Sequence, residues 1–327
     1  MRRRDFIKLL GASVAAWPLS AHAQQSTPTR IGALINLAEY DPQSRVWASA
    51  FERDLQELGW KVGSNLQIEY RWANNDNLYR RFAHELVALA PQVILAVSGS
   101  SATALQEATS TIPVVFMATS DPVNRGLIAS MEKPGGNFTG FIEFEPGIGS
   151  KWLEVLKHIA PGVSRVAVVR DPTRLSARHL LAAIEKAAPS LGVELTPVDA
   201  RNSAEVERVI TTFGDNPNGG LIVTPNAFSA ISRDHIVGLA ARHRLPAIYF
   251  SRFFVTEGGL SSYAPDTIDD YRRAAGYIDR ILKGEKPGDM AVQAPAKFEF
   301  VINARTAQVI GLPISASVLA MANDVIK

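Results

Sequence analysis

Hydroxyl-bearing residues, a few aspartates and a scatter of aromatics recur in this 327-residue sequence just after short apolar, β-branched runs. They are Tyr40 between Glu39 and Asp41, then Ser98-Gly99-Ser100-Ser101, Thr119-Ser120-Asp121-Pro122, Asp171-Pro172 and Asn226-Ala227-Phe228, and finally Tyr249 and Tyr263. Such a set suits a small-molecule pocket, in which aromatic rings exclude water and sparse polar groups fix a ligand's orientation. Ser98, Ser100 and Ser101 open a helical pattern, where hydroxyls and free N–H groups together hold a carboxylate; the same serines can cap that helix, and one role does not exclude the other. Asp121 and Asp171 have two roles open, partner to a ligand ammonium group or N-cap before Pro122 and Pro172. Tyr40, Tyr249 and Tyr263 are candidate ring walls, with Thr119, Ser120, Asn226 and Phe228 beside them. Phe250, Phe253 and Phe254 read as core or hinge packing.

No catalytic constellation is visible. Gly99-Ser100-Ser101-Ala102-Thr103 lacks the second glycine of a nucleophile elbow, and no histidine follows a strand where it could act as base. His84, His158, His179, His235 and His243 fall in helical patterns without HExxH spacing, so neither a metal nor a cofactor is expected. Pro134-Gly135-Gly136-Asn137 is a turn rather than a phosphate cradle, because no Lys-Ser/Thr pair follows it. Cysteine is absent, which excludes disulfides, thiolate metal sites, a cysteine nucleophile and a lipidated amino-terminal cysteine.

The elements that must position these residues alternate. Arg30 to Ile35 reads as a strand feeding a helix with Trp47, Phe51, Leu55 and Leu58 at helical spacing and Gly59 as its stop. Leu66 to Tyr70, Val93 to Val97 and Ile112 to Met117 are further strands, with a helix from about Asp76 between the first two. The later strands are apolar throughout, as strands covered on both faces are. The same grammar then repeats from Val166 to Arg170, through Leu191-Gly192-Val193 and Gly220 to Thr224, to Leu245-Pro246-Ala247-Ile248-Tyr249. Two similar α/β lobes with parallel sheets follow, with ligands expected at the carboxyl ends of their strands.

The first 23 residues read as an export signal. Arg2, Arg3, Arg4 and Lys8 precede an apolar stretch from Leu9 to Leu19, and Ala21-His22-Ala23 supplies small residues for cleavage after Ala23. Arg3-Arg4-Asp5-Phe6-Ile7-Lys8 fits a twin-arginine signal, with the general secretory route as its rival. The leader takes four of the 34 basic residues and one of the 32 acidic ones, so the remainder is close to neutral, at −1. Nucleic acid is then not an expected partner, since a binder carries a clustered basic surplus.

Several segments carry a family resemblance. Arg3-Arg4-Asp5-Phe6-Ile7, Ile112-Pro113-Val114-Val115-Phe116 with Asp121-Pro122-Val123, and Pro134-Gly135-Gly136-Asn137-Phe138-Thr139-Gly140 resemble the ABC transporter substrate-binding proteins of the tryptophan/tyrosine-binding type. So do Gly258-Gly259-Leu260-Ser261-Ser262-Tyr263, Ile281 to Pro287 and Lys297 to Asn303. The resemblance implies a type I periplasmic binding protein: two Rossmann-like lobes joined by a three-strand hinge and closing on a ligand. Lobe I is expected over 24–118 plus 265–292 and lobe II over 119–264 plus 293–327.

The resulting expectation is a periplasmic, monomeric solute-binding component of an ABC importer. It would take a small carboxylate-bearing, aromatic or amino-acid-like ligand to a permease in the inner membrane, without catalysis. An exported α/β hydrolase-like enzyme, or a ligand sensor for a membrane receptor, are the alternatives. If the paired arginines direct export, replacing Arg3 and Arg4 by lysine blocks it; unchanged export of the double variant identifies the general secretory route.

Overall fold

The computed structural model describes residues 28–145, 147–199 and 202–327, so the expected leader lies outside the described residues. The first sheet is built by β1 (Thr29–Ile35), α1 (Pro42–Glu57), β2 (Leu66–Trp72), α2 (Asp76–Ala88), β3 (Val93–Val97), α3 (Gly99–Ala108), β4 (Val114–Thr119) and β5 (Phe138–Ile142), with strand order β2-β1-β3-β4-β5, all parallel. Alternate residues of its strands take opposite faces. Leu34, Ile94, Ala96 and Phe116 pack with Ala83, Leu86 and Leu105 of α2 and α3, while Ala33, Leu95 and Val115 pack with Phe51 and Leu55 of α1. Asp41 and Asn75 cap α1 and α2, and each fixes where its helix begins by accepting from a first-turn N–H.

The expected exit from lobe I near Ala118 is corrected by this sheet. That boundary cuts β4, and β5 still pairs with β4 at Val114↔Phe138, so the first lobe continues to Ile142. The Pro134 to Asn137 turn delivers the chain into β5, with Asn137 Nδ2 donating to the Ile112 carbonyl at 2.8 Å. Between β4 and that turn the chain is irregular. The helix that Asp121-Pro122 was expected to cap does not form, because Asp121 has φ +56°, in the left-handed region rather than the extended region of an N-cap.

The second sheet takes α4 (Ile148–Ile159), β6 (Arg165–Arg170), α5 (Leu175–Ala187), β7 (Glu194–Asp199), α6 (Ser203–Gly214), β8 (Gly219–Val223), α7 (Ala227–Ile231), α8 (Arg233–Arg242), β9 (Ala247–Tyr249), α9 (Arg252–Thr256) and β10 (Ser261–Pro265). The chain then returns to the first lobe as α10 (Thr267–Leu282), whose Tyr271 ring lies 6.0 Å from Trp47 and 6.1 Å from Phe51. Gln293 next exchanges hydrogen bonds with Gly140 and Ile142 beside β5 before the chain enters β11 (Phe298–Asn303), α11 (Ala304–Val309), α12 (Ala316–Met321) and β12 (Asp324–Ile326). The order is β12-β11-β10-β9-β8-β6-β7, parallel except that β11 runs antiparallel to β10, since it re-enters from the side on which β10 left. Three segments therefore join the lobes, between β5 and α4, between β10 and α10, and just before β11.

Gly140 is the tightest point of this arrangement. Its φ is +148°, and a Cβ there would sit 1.9 Å from the Phe116 carbonyl oxygen, backbone that cannot move without opening the β4–β5 ladder. Gly140→Ala is expected to cost about 3 kcal/mol, read as a lowered urea midpoint; a midpoint within experimental scatter of the parent would contradict this packing.

Candidate functional site

The carboxyl ends of the strands of both sheets meet at a cavity of about 110 Å³ between the lobes. On one side stand Asn36 after β1, Ser98, Gly99 and Ser100 at the start of α3, and Ser120 after β4. Arg174 and Ser176 at the start of α5 face them, with Pro225 and Asn226 after β8. Trp47 and Tyr79 of the first lobe and Phe250 and Phe253 of the second wall it. The lobes are in contact around it: Arg233 Nη1 lies 3.0 Å from Asp41 Oδ2, His179 Nδ1 lies 4.0 Å from Asp121 Oδ2, and the Trp47 and Phe253 rings are 6.4 Å apart.

Charge decides what this cavity can hold. Arg125, from the irregular segment after β4, donates through Nε to the Ser120 carbonyl at 2.9 Å, and its guanidinium lies against Gly99, where a Cβ would come within 3.1 Å of Cζ. Arg174 is held from the other lobe by Asp171 Oδ2 at 3.2 Å and donates to Ser100 Oγ at 3.5 Å. Desolvation lowers the pKa of Arg125, and the positive charge of Arg174 lowers it further. The amino terminus of α3 adds a third positive feature at the same place. Against these stands one acid, Glu143, in the first connection between the lobes, and desolvation pushes its carboxyl up to about 8 despite the Ser120 hydroxyl, Arg174 and Arg125. Near neutral pH that acid is mostly protonated, which leaves the Asp171 carboxylate on Arg174 as the anion paired with the two guanidiniums. Asn36 keeps Oδ1 buried and unpartnered in the same lining, a free acceptor.

Of the residues singled out in the sequence, Ser98, Ser100, Ser120 and Asn226 line this cavity. Ser98 accepts from the Ser101 N–H at 3.2 Å, and beside it in the lining burial raises the pKa of the Tyr79 hydroxyl to about 12. Asn226 caps α7 through Ser229. The others lie elsewhere. Ser101 is fully buried and turns its hydroxyl back to the Val97 carbonyl, so only its backbone belongs to the helix start. Thr119 is likewise buried and donates to the Met117 carbonyl. Asp171 folds onto Thr173 and Arg174, and Asp121 accepts from Asn124 Nδ2 through both oxygens, so neither is a free ammonium partner. Phe228 packs against the second-lobe core.

None of the three tyrosines walls the cavity. Tyr40 is 84% exposed, Tyr249 is buried and stacked on Phe254 with centroids 4.8 Å apart, and Tyr263 stacks on Phe298 at 5.5 Å. Tyrosine serves core and surface equally well, so its type alone could not place it. Sequence reasoning missed Arg125, Arg174, Glu143, Tyr79 and Trp47. The available signal was spacing: each arginine follows an Asp-Pro pair by two or three residues, Asp121-Pro122 to Arg125 and Asp171-Pro172 to Arg174.

Comparison with known proteins agrees with the two-lobe fold. Residues 41–326 match the family model described as ABC transporter substrate binding protein. A tyrosine-binding protein of Clostridioides difficile is 26% identical over 257 residues, 78% of this chain and 74% of that protein. A conserved domain protein of Vibrio cholerae superposes with TM-score 0.83 at 26% identity, covering 91% of this chain and all of the other. An ABC domain of Streptococcus pneumonia solved with L-Trp also gives 0.83, at 23% identity over 92% of this chain and all of the other, whereas the ligand-free, open form of a Clostridium difficile substrate-binding protein gives 0.70 at 24%, over 91% of this chain and 99% of the other. Two α/β lobes with mainly parallel sheets are thus the periplasmic binding protein arrangement, also met in a sugar-binding protein of Bacillus halodurans at TM-score 0.64.

Because the carboxyl of Glu143 is raised in the folded state, the native protein holds a proton that the unfolded chain releases once pH exceeds about 4.5. Stability is therefore expected to fall as pH rises from about 4.5 to about 8 and to level off above that. Asp270, raised to about 7 chiefly by desolvation, acts in the same direction over the lower part of the window. Glu143→Gln should remove the decline between about pH 7 and 8, measured as urea midpoints across the range; an unchanged decline would rule out Glu143 as its source.

Proposed function

The chain belongs to the ABC transporter substrate-binding protein family, a family of binding proteins rather than enzymes, and from that premise we propose that it captures a small amino-acid-like carboxylate between its lobes. The observation that carries this reading is the convergence of Arg125, Arg174 and the start of α3 on one cavity with a single, largely neutral acid. A carboxylate there takes charge-assisted bonds from guanidiniums of both lobes and from the hydroxyl of Ser100. Its ammonium group then has Glu143 and the free Asn36 Oδ1 as acceptors. An ammonium favours the ionised form of Glu143, so binding near pH 7 releases a proton.

The mechanism is hinge closure. A ligand bonded to both Arg125 and Arg174 makes its full set of contacts only when the lobes meet, and this difference in affinity sets how far it shifts the population toward the closed form. Delivery would be to a permease in the inner membrane, with the protein exported to the periplasm and acting as a monomer. The tyrosine-binding relative favours an amino acid over a sugar or a metal as the class of cargo.

Arg125→Ala and Arg174→Ala are each expected to weaken amino-acid binding by about ten- to a hundredfold, measured by titration calorimetry after a thermal-shift screen has found binding acids. The heat should also vary with the ionisation enthalpy of the buffer, as proton release requires. Equal affinity in parent and both variants would refute the head-group assignment.

A further inference from the structure

The cavity between the arginines has room for a head group and little else. At about 110 Å³ it corresponds to three or four waters at about 30 Å³ each. Beside it lies a second, larger space of about 330 Å³, also bounded by both lobes, and the two share Ser120 and Ser176 in their linings. Its character is opposite. Pro122, Met131 and Ile142 of the first lobe, Phe144 of the connection and Leu180 of α5 make an apolar chamber, and the only ionisable groups in its lining are Asp121 and His179, which lie across the lobes from one another.

Resting on the head-group reading above, we infer that this chamber is the side-chain subsite: the ligand's apolar tail passes Ser120 and Ser176 from the arginines and lies between the Pro122 to Met131 segment and α5. The volumes support this division. An apolar cavity of about 150 Å³ suffices to take up benzene, so a space twice that size holds a side chain as large as one or two fused rings. Polarity supports it too, because a charged tail would lose its hydration among Met131, Ile142, Phe144 and Leu180, and the two ionisable groups of the lining, Asp121 and His179, already face one another. Leu180, 5% exposed and on the lobe opposite Met131 and Ile142, is the specificity-determining contact, since it closes over the tail only when the lobes meet.

The test uses the whole protein and a series with one head group: glycine, alanine, leucine, phenylalanine and glutamate, titrated by calorimetry, by competition where binding is weak. In the parent, phenylalanine should bind more than tenfold tighter than alanine, each buried methylene strengthening binding about fourfold, and glutamate no tighter than alanine. Leu180→Trp, which fills the chamber, should bring phenylalanine to within about threefold of alanine. Val123→Trp, at the exposed rim of the same chamber, gives a second filling variant that does not disturb the core. Equal affinity for alanine and phenylalanine in the parent, or filling variants that leave phenylalanine as tight as before, overturns the subsite while the head-group reading stands. Absence of binding by every amino acid in the series, phenylalanine included, overturns both.

Discussion

Everything in the cleft turns on two guanidiniums brought from opposite lobes into one partly desolvated space. Arg125 is fixed by the Ser120 carbonyl and by its contact with Gly99, and Arg174 by Asp171, so neither is free to swing out into water. Their mutual repulsion is not balanced by Glu143, whose own desolvation keeps it largely protonated. Asp171 pairs with Arg174 and relieves that repulsion only in part, so the excess of positive charge costs stability in the protein without ligand. An anion bonded to both would bridge the lobes, which would make neutralisation and closure one event.

The remaining interlobe contacts set a weak bias. His179 with Asp121 is partly exposed and screened by solvent and salt, while Arg233 with Asp41 is largely buried, where the cost of desolvating both charges offsets much of their attraction. They help to hold lobes already together, but contribute little compared with a ligand bonded to charges from both sides. The connecting segments are tied to one another as well: Arg273 of α10 donates to Gln293 Oε1 at 2.6 Å and to the Ala294 carbonyl at 3.0 Å. Bending of the second and third connections is thereby coupled, so the lobes move as two bodies about one hinge region.

The repeated strand and helix grammar was readable because each element carries its own physical signature. Val93–Val97 is apolar at all five positions and buried at all five, and Gly59 lies just past the end of α1 with φ +98°. The lobe boundary was not readable, because nothing in Phe138-Thr139-Gly140-Phe141-Ile142 says which sheet it joins; that follows from long-range pairing with β4. The site was legible as a set of strand ends but not as a set of side chains. Ser98, Ser100 and Ser120 were found by their place after strands, whereas Arg125 and Arg174 look like solvated surface charge until the fold turns them inward. Tyr249 and Tyr263 sit at strand ends too, but their rings are taken up by Phe254 and Phe298.

Backbone strain shows where the fold gives way to the site. Ser98 has φ +114° with ψ 158°, a region essentially reserved for glycine, and Ala118 and Asp121 have φ +50° and +56°. These positions lie at the ends of β3 and β4, the central and penultimate strands of the first sheet, and each lines the cavity or adjoins a residue that does. The strain persists because the strands behind it are over-determined: β3 is buried throughout and hydrogen-bonded on both edges, so the sheet cannot relax to relieve its ends. A relaxed turn after β3 would start α3 in a different direction and carry Ser100 and the free N–H groups away from Arg125. The same holds after β4, where the Ala118 to Asp121 turn sets both the Ser120 carbonyl that orients Arg125 and the wall of the apolar chamber. The rigidity of the sheet is therefore what allows an unfavourable cluster of charges to be held in register.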